Sequence, residues 1–567
     1  MIDIRGWIPG IRTVTTYQAA WLPRDLVAGV VLTTLLVPQG MAYAELAGLP
    51  AITGLYTSIL CLLAYAVFGP SRILVLGPDS SLGPMIATVV VGGLAAGAGP
   101  AEAVALASTL GLVVGILLVL AGVAKLGFLA DLLSRPTQLG YLNGLALTIL
   151  IGQLPKLFGF SVEGDGLIPE AKGFFQGVAD GKTVPAALAI GVFGLAVILA
   201  LRVWLPKVPG VLIAVVLSIA AVAVFGLEDR GVDLVGALPR GFPPFTVPSV
   251  DLKDLGTIAA GALGIALVSL TDTISTASAF AARTGQEVRG NQEMVGIGAA
   301  NIAASFFQGF PVSTSGSRTA VAEQSGARTQ VTGVVGAVSI SLMLLFVPGL
   351  LRDLPQPTLA AVVIAAALSL ADIPGMVDLW RRRRVEFSLG VAAFLGVAIL
   401  GVLPGIAVAV GLSVLNVFRR LWWPYQAVLG RPDGISGYHD ISVHREAQRL
   451  PGLLLFRFDA PLIFANARTF RDRIRGFMAD DPDLKWIIIA AEPITDVDTT
   501  AADTLEELDE ELNARGISLV FAEMKSPVQE KIERYQLTRT IDPEHFFPTV
   551  EDAVAAYRRE TGAEWTR

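Results

Sequence analysis

The sequence predicts a polytopic α-helical membrane protein with a small α/β domain at its C-terminal end. Three observations carry this prediction. Only 16% of the 567 residues are charged and 53% are apolar, with a mean hydropathy of +0.63, whereas a water-soluble chain averages about 25% charged. Apolar stretches of about 20 residues, each able to cross a hydrocarbon layer of roughly 30 Å, follow one another as far as residue 422. Beyond residue 437 the pattern changes to short apolar runs alternating with amphipathic helical stretches, as in a sheet covered by helices.

The first 24 residues carry Trp7, Pro9, Trp21 and Pro23 interleaved with Arg5, Arg12 and Arg24, an interfacial lead-in and not a cleavable signal. The spans then run Leu26–Leu46, Ile52–Phe68, Ala101–Ala124, Leu129–Ile151, Val184–Val203, Val208–Leu227, Leu255–Ala281, Gly296–Phe310, Thr332–Leu351, Pro357–Leu370, Phe387–Leu403 and Gly405–Phe418, with two short or broken ones at Ser81–Gly97 and Ser317–Gln324. The expectation is roughly fourteen passes in a membrane domain over 25–422, built of halves 25–227 and 254–422. With an even number of passes and the N-terminus inside, Arg72, Lys125, Arg202, Lys207, Arg283, Arg289, Arg328, Arg381–Arg384 and Arg419–Arg420 all fall cytoplasmic. The opposite loops carry Glu163, Asp165, Glu170, Glu228, Asp229 and Asp233. This asymmetry fits the positive-inside rule and puts both termini in the cytoplasm, with the chain in the plasma (inner) membrane. The C-terminal domain, 437–560, reads as strands at "GLLLFRF", "LKWIIIA" and "ISLVFAE" with helices at 466–478, 500–513, 528–534 and 550–559.

Composition also excludes functions. One cysteine, Cys61, and three histidines, all beyond residue 430, leave no disulfide framework and no histidine-rich metal centre in the membrane part. A net charge of −7 argues against nucleic acid as partner. No Walker-type glycine loop, histidine–carboxylate pair or cysteine nucleophile stands in a plausible context, so the chain is read as neither an enzyme nor an ATP-driven pump.

The two broken segments carry the chemistry. "VLGPDSSLGPMIA" breaks at Gly77-Pro78, 52 residues after Asp25, and "GFPVSTSGSRTAVAEQ" breaks at Phe310-Pro311, 56 residues after Asp254. Matched breaks in seven-pass halves of opposite topology are the sign of an inverted repeat whose half-helices meet at the midplane. Two half-helix starts aim free N–H groups and positive dipole ends at what lies between them, which makes an anion site. Hydroxyls at Ser80, Ser81, Ser313, Thr314, Ser315 and Ser317 add donors, Arg318 adds a fixed cation, and the small residues Gly316 and Ser81 admit a ligand to the backbone. The competing reading has the hydroxyls only capping helices and Arg318 pairing with Glu323, but capping leaves the matched starts unexplained. Three acids, Glu45, Asp79 and Asp272, sit within apolar surroundings, where a carboxylate is by default a proton or cation site. Asp272 is flanked by Thr271, Thr273, Ser275 and Thr276, oxygens suited to a proton or sodium ion. Asp79 can equally be a plain N-cap, and Glu45 can simply reach the outer interface.

The stretches "DLVAGVVLTTLLVPQGMAYAELAGLPAITGLYTSI", "YAVFGPSRILVLGP" and "NQEMVGIGAANIAASFFQGFPVSTSGSRTAVAEQSGARTQVTGVVG", with the terminal domain, resemble the SulP family of anion transporters, which includes sulfate permeases, bicarbonate transporters and prestin. The resemblance covers nearly the whole chain. It implies a seven-plus-seven inverted repeat with core and gate subdomains, elevator-type motion, a homodimer, and a cytoplasmic module similar to STAS domains. It maps a substrate pocket onto Gln39, Tyr43, Asp79–Ser81 and Ser315–Arg318, and coupling onto Asp272, with Glu45 and Thr276 as further candidates. Many relatives carry a glutamate where this chain has Asp272, which leaves proton against sodium coupling open. The phosphorylatable position of STAS-type regulators falls on Thr499, which also simply starts a helix well. The implied cargo is a small anion, sulfate first and dicarboxylate or bicarbonate next, with no cofactor beyond a coupling proton or sodium ion. A nucleobase transporter shares the architecture but not the second half-helix or the terminal domain. A membrane-tethered signalling protein, acting through the STAS-like domain, is the alternative of another class.

Overall fold

The computed structural model describes residues 8–93, 99–128, 133–162, 166–205, 208–249, 255–284 and 287–566. Arg5, Trp7, Glu163, Asp165, Lys207 and Asp254, and the predicted span ends at 94–97 and 129–132, lie outside the described residues. The chain divides into two compact units, Met1–Ser413 and Val414–Arg567.

The first unit is helical. After α1 (Pro9–Thr15) come α2 (Leu22–Leu46), α3 (Ala51–Phe68), strand β1 (Leu76–Gly77), α4 (Gly83–Gly93), α5 (Pro100–Val123), α6 (Arg135–Phe158), α7 (Leu167–Ala179), α8 (Pro185–Trp204) and α9 (Gly210–Phe225). The second half runs α10 (Leu255–Thr284), α11 (Gly290–Ser305), strand β2 (Ser313–Thr314), α12 (Gly316–Gln324), α13 (Val331–Phe346), α14 (Gln356–Leu370), α15 (Ile373–Arg382), α16 (Arg384–Leu400) and α17 (Val402–Trp422), the last running on into the second unit. Among the described residues, seven helical stretches are long and apolar enough to cross a membrane: those of α2, α3, α5, α8, α10, α14 with α15, and α17. Large apolar side chains point outward along them and their neighbours, as at Val203, Val224, Phe346, Ile399 and Leu415, which suits a lipid surround and not water.

Two helices differ from their predicted spans. The span predicted at 129–151 is α6, which starts after Ser134 with Pro136 in its first turn and continues through Gln153, Pro155 and Lys156 to a left-handed Gly159. The span predicted at 296–310 is α11, already finished at Ser305, because the chain turns at Gln308 (φ 58°) before Phe310. Helices α7 and α15 have no counterpart among the predicted spans.

Packing sorts the helices into two bundles that each draw on both halves. In the first, α5 and α3 pack on α11, α2 packs on α3 and α13, and α10 packs on α5 and α4. In the second, α6 packs on α14 and α16, and α8 packs on α14 and α9. Glycines permit the tightest approach: a Cβ on Gly54 of α3 would fall 1.9 Å from the carbonyl oxygen of Gly40 of α2.

The second unit holds a six-stranded sheet, in the order β4 (His439–Asp440), β3 (Gln426–Gly430), β5 (Leu453–Phe458), β6 (Trp486–Ala490), β7 (Ser518–Ala522) and β8 (Phe546–Phe547). Strands β5 to β8 are parallel, and β3 and β4 add an antiparallel edge. Period-2 alternation gives the sheet two apolar faces. Phe456, Ile487, Ile489, Leu519 and Phe521 meet α18 (Ala467–Asp480), α19 (Thr499–Asn513) and α20 (Ser526–Arg534), while Leu455, Trp486, Ile488 and Val520 meet α21 (Val550–Thr561). The sheet takes in 426–430, ahead of the start at 437 that composition suggested, since β3 follows directly on α17 with too few residues between them to mark a boundary.

Candidate functional site

The two breaks meet. β1 pairs antiparallel with β2, Leu76 opposite Thr314 and Gly77 opposite Ser313, and each strand leads into a short helix, α4 or α12. Non-helical backbone inside an apolar layer needs partners from the protein itself, and the first bundle supplies them. The N–H of Val312 donates to Asn301 Oδ1 at 2.9 Å, and its carbonyl accepts from Ser269 at 2.9 Å. The N–H of Phe310 donates to Thr57 (3.2 Å), and the carbonyl of Gly309 accepts from Ser108 (2.9 Å). On the β1 side, the N–H of Val75 donates to Thr319 (3.1 Å), the carbonyl of Leu74 accepts from Gln330 (2.9 Å), and the carbonyl of Pro78 accepts from Arg318 Nη2 (2.6 Å). Apart from Arg318, which the sequence singled out as a cation, these supporting residues escaped the sequence reading, although each is a polar side chain out of place in an apolar setting.

Between the bundles lies a cavity of about 870 Å³. The first bundle contributes Gln39 and Tyr43 of α2, Asp79 and Ser80 ahead of α4, Asp272, Ser275 and Thr276 of α10, and Thr314 to Ser317 at the start of α12. The second contributes mainly apolar side chains, among them Leu142, Ile198, Val362 and Ala365, together with Arg202 and Ser369. The lining reaches Arg202, Gln324 and Leu370 at one end of the helices, and on α2 it stops at Tyr43. Ser315 caps α12, accepting from the Arg318 N–H at 3.4 Å, so Gly316 and Ser317 bring the start of that helix to the cavity wall.

Of the sequence candidates, Gln39, Tyr43, Asp79, Ser80, Ser315, Gly316, Ser317, Asp272 and Thr276 therefore converge on one cavity. Ser81 sits just behind the wall, fully buried. Two candidates are placed otherwise. Arg318 is fully buried and not part of the lining. Three residues past the cap, its side chain turns back toward β1, and a Cβ on Gly77 would fall 2.5 Å from Nη1. Its Nε and Nη1 have no hydrogen-bond partner among the described residues. Glu45 also lies outside the cavity, where its carboxylate accepts from Gln356 Nε2 at 2.8 Å. Thr499 is exposed at the first position of α19, whose cap is Asp498 and not a threonine.

The acids are joined through Ser81. Its hydroxyl oxygen lies 3.1 Å from Asp79 Oδ1 and 2.9 Å from Asp272 Oδ2. A hydroxyl has one hydrogen to donate, so both contacts are hydrogen bonds only when one acid carries a proton and donates it to Ser81. Asp79 also approaches the Ser81 N–H at 3.5 Å, and α4 begins at Gly83, so Asp79 belongs to a turn ahead of the helix and is no simple cap. Among the described residues, the charged groups lining the cavity are Asp79, Asp272 and Arg202. An anion entering it meets two carboxylates against one guanidinium, with Arg318 behind the wall.

Among the described residues of the first unit, two further buried acids lay in the sequence without a role. Asp25, completely buried at the start of α2, accepts from the N–H groups of Arg328 (2.7 Å) and Thr329 (3.2 Å) and from the hydroxyls of Thr329 and Thr332, tying α2 to the start of α13. Glu293, buried on α11, accepts from the hydroxyls of Tyr65 (2.6 Å) and Ser71. Both are structural ties away from the cavity.

Comparison with known proteins agrees with this architecture. Residues 22–393 match the sulfate permease family and 444–553 the STAS domain. A probable sulfate transporter of Mycobacterium tuberculosis is 43% identical over 555 residues, spanning 98% of each chain. Probable sulfate transporter 3.3 of Arabidopsis thaliana is 30% identical over 581 residues, spanning 98% of this chain and 90% of the relative. The murine solute carrier 26 family member A9 anion transporter, solved in an inward-facing state, superposes with a TM-score of 0.90 over 98% of this chain and 94% of that one, at 23% identity, a likeness of fold. These relatives carry the names of transporters and not of enzymes, and the chain belongs to the sulfate permease family.

Proposed function

We propose that the protein is a secondary transporter of a small anion, an oxyanion such as sulfate foremost. One observation carries this reading: two opposed chain breaks pair at β1 and β2 and present backbone, hydroxyls and half-helix starts to a cavity shared by both bundles. Helix starts and hydroxyls suit an oxyanion without a full counter-charge. The names of the relatives, sulfate transporters among them, support the same cargo. A cavity of about 870 Å³ also has room for a four-carbon dicarboxylate, which is the second reading.

The proposed topology has fourteen passes in inverted seven-pass repeats, with both termini cytoplasmic. Arg72, Lys125, Arg202, Arg328 and Arg381–Arg384 then share the inner side, and the cavity reaching Arg202 is the inward-open form. The bundle holding both half-helices travels against the other in elevator fashion, within a homodimer in the plasma membrane. Coupling falls to Asp272: a proton or sodium ion neutralises the Asp79–Ser81–Asp272 cluster as the anion arrives. Counterflow in proteoliposomes tests this. Labelled sulfate, bicarbonate, chloride and a dicarboxylate are offered with and without pH and sodium gradients. Sulfate exchange, accelerated by one of the gradients, is expected. If correctly inserted protein exchanges none of the four, the reading fails.

A further inference from the structure

Helix α15 stands apart from the transport cavity, and the function proposed above does not use it. Its start is well specified: Asp372 accepts from the Gly375 N–H at 2.8 Å, and a proline sits in the first turn. One side of it is fixed, with Met376 against Gly390 of α16 and the carbonyl of Asp372 accepting from Asn143 of α6 at 3.3 Å. The other side is largely exposed, although the Trp380 ring meets Phe387 of α16 edge-on with centroids 5.0 Å apart. Ile373, Val377 and Trp380, at i, i+4 and i+7 and hence on one face, are 66%, 44% and 51% exposed. Four exposed arginines follow without a gap, Arg381 to Arg384. Asp378 pairs with Arg382 (2.8 Å) and Glu386 with Arg383 (3.2 Å), and the Arg384 guanidinium lies 5.4 Å from the centre of the Trp380 ring. Four cations against two acids leave the patch with a surplus of positive charge.

A short helix with an exposed apolar stripe, an interfacial tryptophan and a basic cluster has the build of an element lying in the headgroup region of a bilayer. Its place in the chain agrees, between two apolar helices, α14 and α16, so that it sits where those helices leave the hydrocarbon. We propose that α15 with Arg381–Arg384 is a binding site for anionic phospholipid headgroups, the apolar stripe entering the acyl boundary and the arginines meeting lipid phosphates. Its effect is local to the transporter, because α14, which α15 directly follows, ends in cavity-lining residues, Ser369 and Leu370. Lipid held at α15 fixes the end of that wall.

Trp380 is its own reporter. Full-length protein is reconstituted into phosphatidylcholine vesicles containing a small equal fraction of either brominated phosphatidylglycerol or brominated phosphatidylcholine. The Trp380 signal is the difference between parent and Trp380→Phe protein. Brominated phosphatidylglycerol is expected to quench it several-fold more effectively at low salt, and high salt is expected to erode the preference. Each arginine near a lipid surface contributes about fivefold in local anionic-lipid enrichment. The exposed double substitution Arg381→Gln with Arg384→Gln should therefore abolish most of the preference, and the matching lysine pair should keep it. Equal quenching by the two lipids in the parent protein overturns the proposal. So does a preference unchanged in the glutamine pair, or a Trp380 that neither lipid reaches, which would mean that protein and not lipid covers the stripe.

Discussion

Substituting Asp272 by Asn is the sharpest test of the proposed coupling. With Ser81 Oγ 3.1 Å from Asp79 and 2.9 Å from Asp272, the two carboxylate oxygens stand no more than about 6 Å apart, where two full charges at an effective dielectric of about 20 repel by roughly 3 kcal/mol. An anion between the half-helix starts adds repulsion of the same order. Neutralising one acid by a proton or sodium ion therefore favours anion binding by up to about 100-fold, and linkage makes the anion favour the cation by the same factor. Asn keeps the shape of the acid and a hydrogen bond to Ser81 while fixing the neutral state. The Asp272→Asn protein should bind and exchange anion with an affinity that no longer depends on pH or sodium, and it should lose concentrative uptake under an inward gradient. The assay is labelled-anion uptake in proteoliposomes, run once as equilibrium exchange and once against an imposed gradient. Uptake against its gradient at the parental level would refute the assignment and move coupling to Asp79.

Other perturbations separate contact from scaffold. Arg318→Gln removes a buried charge that holds the Pro78 carbonyl at 2.6 Å, and it should weaken anion binding by about 1–3 kcal/mol, read by titration of the purified protein; unchanged affinity would leave Arg318 a purely structural role. Asn301→Leu strips the Val312 N–H of its 2.9 Å partner while the carbonyl keeps Ser269, so it should lower the thermal unfolding midpoint in proportion to a loss of about 1–3 kcal/mol, and an unmoved midpoint would contradict the backbone accounting. In the second unit, burial pushes the Asp509 carboxyl up from 3.8 to about 6. The folded form thus holds the proton more tightly than the unfolded one, and this group costs stability increasingly as pH rises from about 4 to about 6. Asp509→Asn should accordingly raise the melting midpoint of the second unit at pH 7 and leave it nearly unchanged at pH 4, measured calorimetrically on the full chain.

Much of the site was legible because helix breakers and polar residues are conspicuous in an apolar chain. Gly77-Pro78 and Phe310-Pro311 marked both chain breaks, and the residues beside them, Asp79, Ser80 and Ser315 to Ser317, line the cavity. What the sequence hid was direction. A nine-residue helix such as α12 has no period long enough to say which side faces a ligand, so Ser317 and Arg318 read alike although one lines the cavity and the other turns to Pro78. Glu45 read as a coupling candidate because its partner, Gln356, lies 311 residues away. Helices α7 and α15 were missed for the opposite reason: their charges, Glu170 and Lys172 in one and Asp378, Arg381 and Arg382 in the other, look like loop residues to a search for long apolar runs. The cavity wall from the second bundle, Leu142, Ile198 and Val362, was invisible because a Leu facing an anion path has the same sequence signature as one facing lipid.

The distribution of polar ties gives the proposed motion a physical basis and a last test. Asn301, Thr57 and Ser108 secure the second break to helices of the first bundle, and Thr319 and Arg318 of α12 tie the two breaks to each other, so those segments move as one body or not at all. The second bundle faces them across the cavity with Leu142, Ile198, Val362 and Ala365, side chains that hold no fixed register and can slide. A side-chain tie does cross between the bundles, from Glu45 of α2 to Gln356 of α14 at 2.8 Å. A hydrogen bond to a charged group is worth about 1.5–3 kcal/mol. If it exists only in the form with the cavity reaching Arg202, its loss shifts the balance of forms by roughly 10- to 150-fold. Gln356→Leu should then reduce the fraction of molecules in that form without touching the anion site. Because Cys61 is completely buried, a cysteine placed at Ser317 is the accessible thiol. Its labelling by an impermeant reagent from the Arg202 side, in oriented membranes, reads that fraction. The Gln356→Leu background should label more slowly while anion affinity, corrected for the shift, stays constant. Labelling at the parental rate would show that the tie is present in both forms, and the bundles would then have to move with α2 and α14 together.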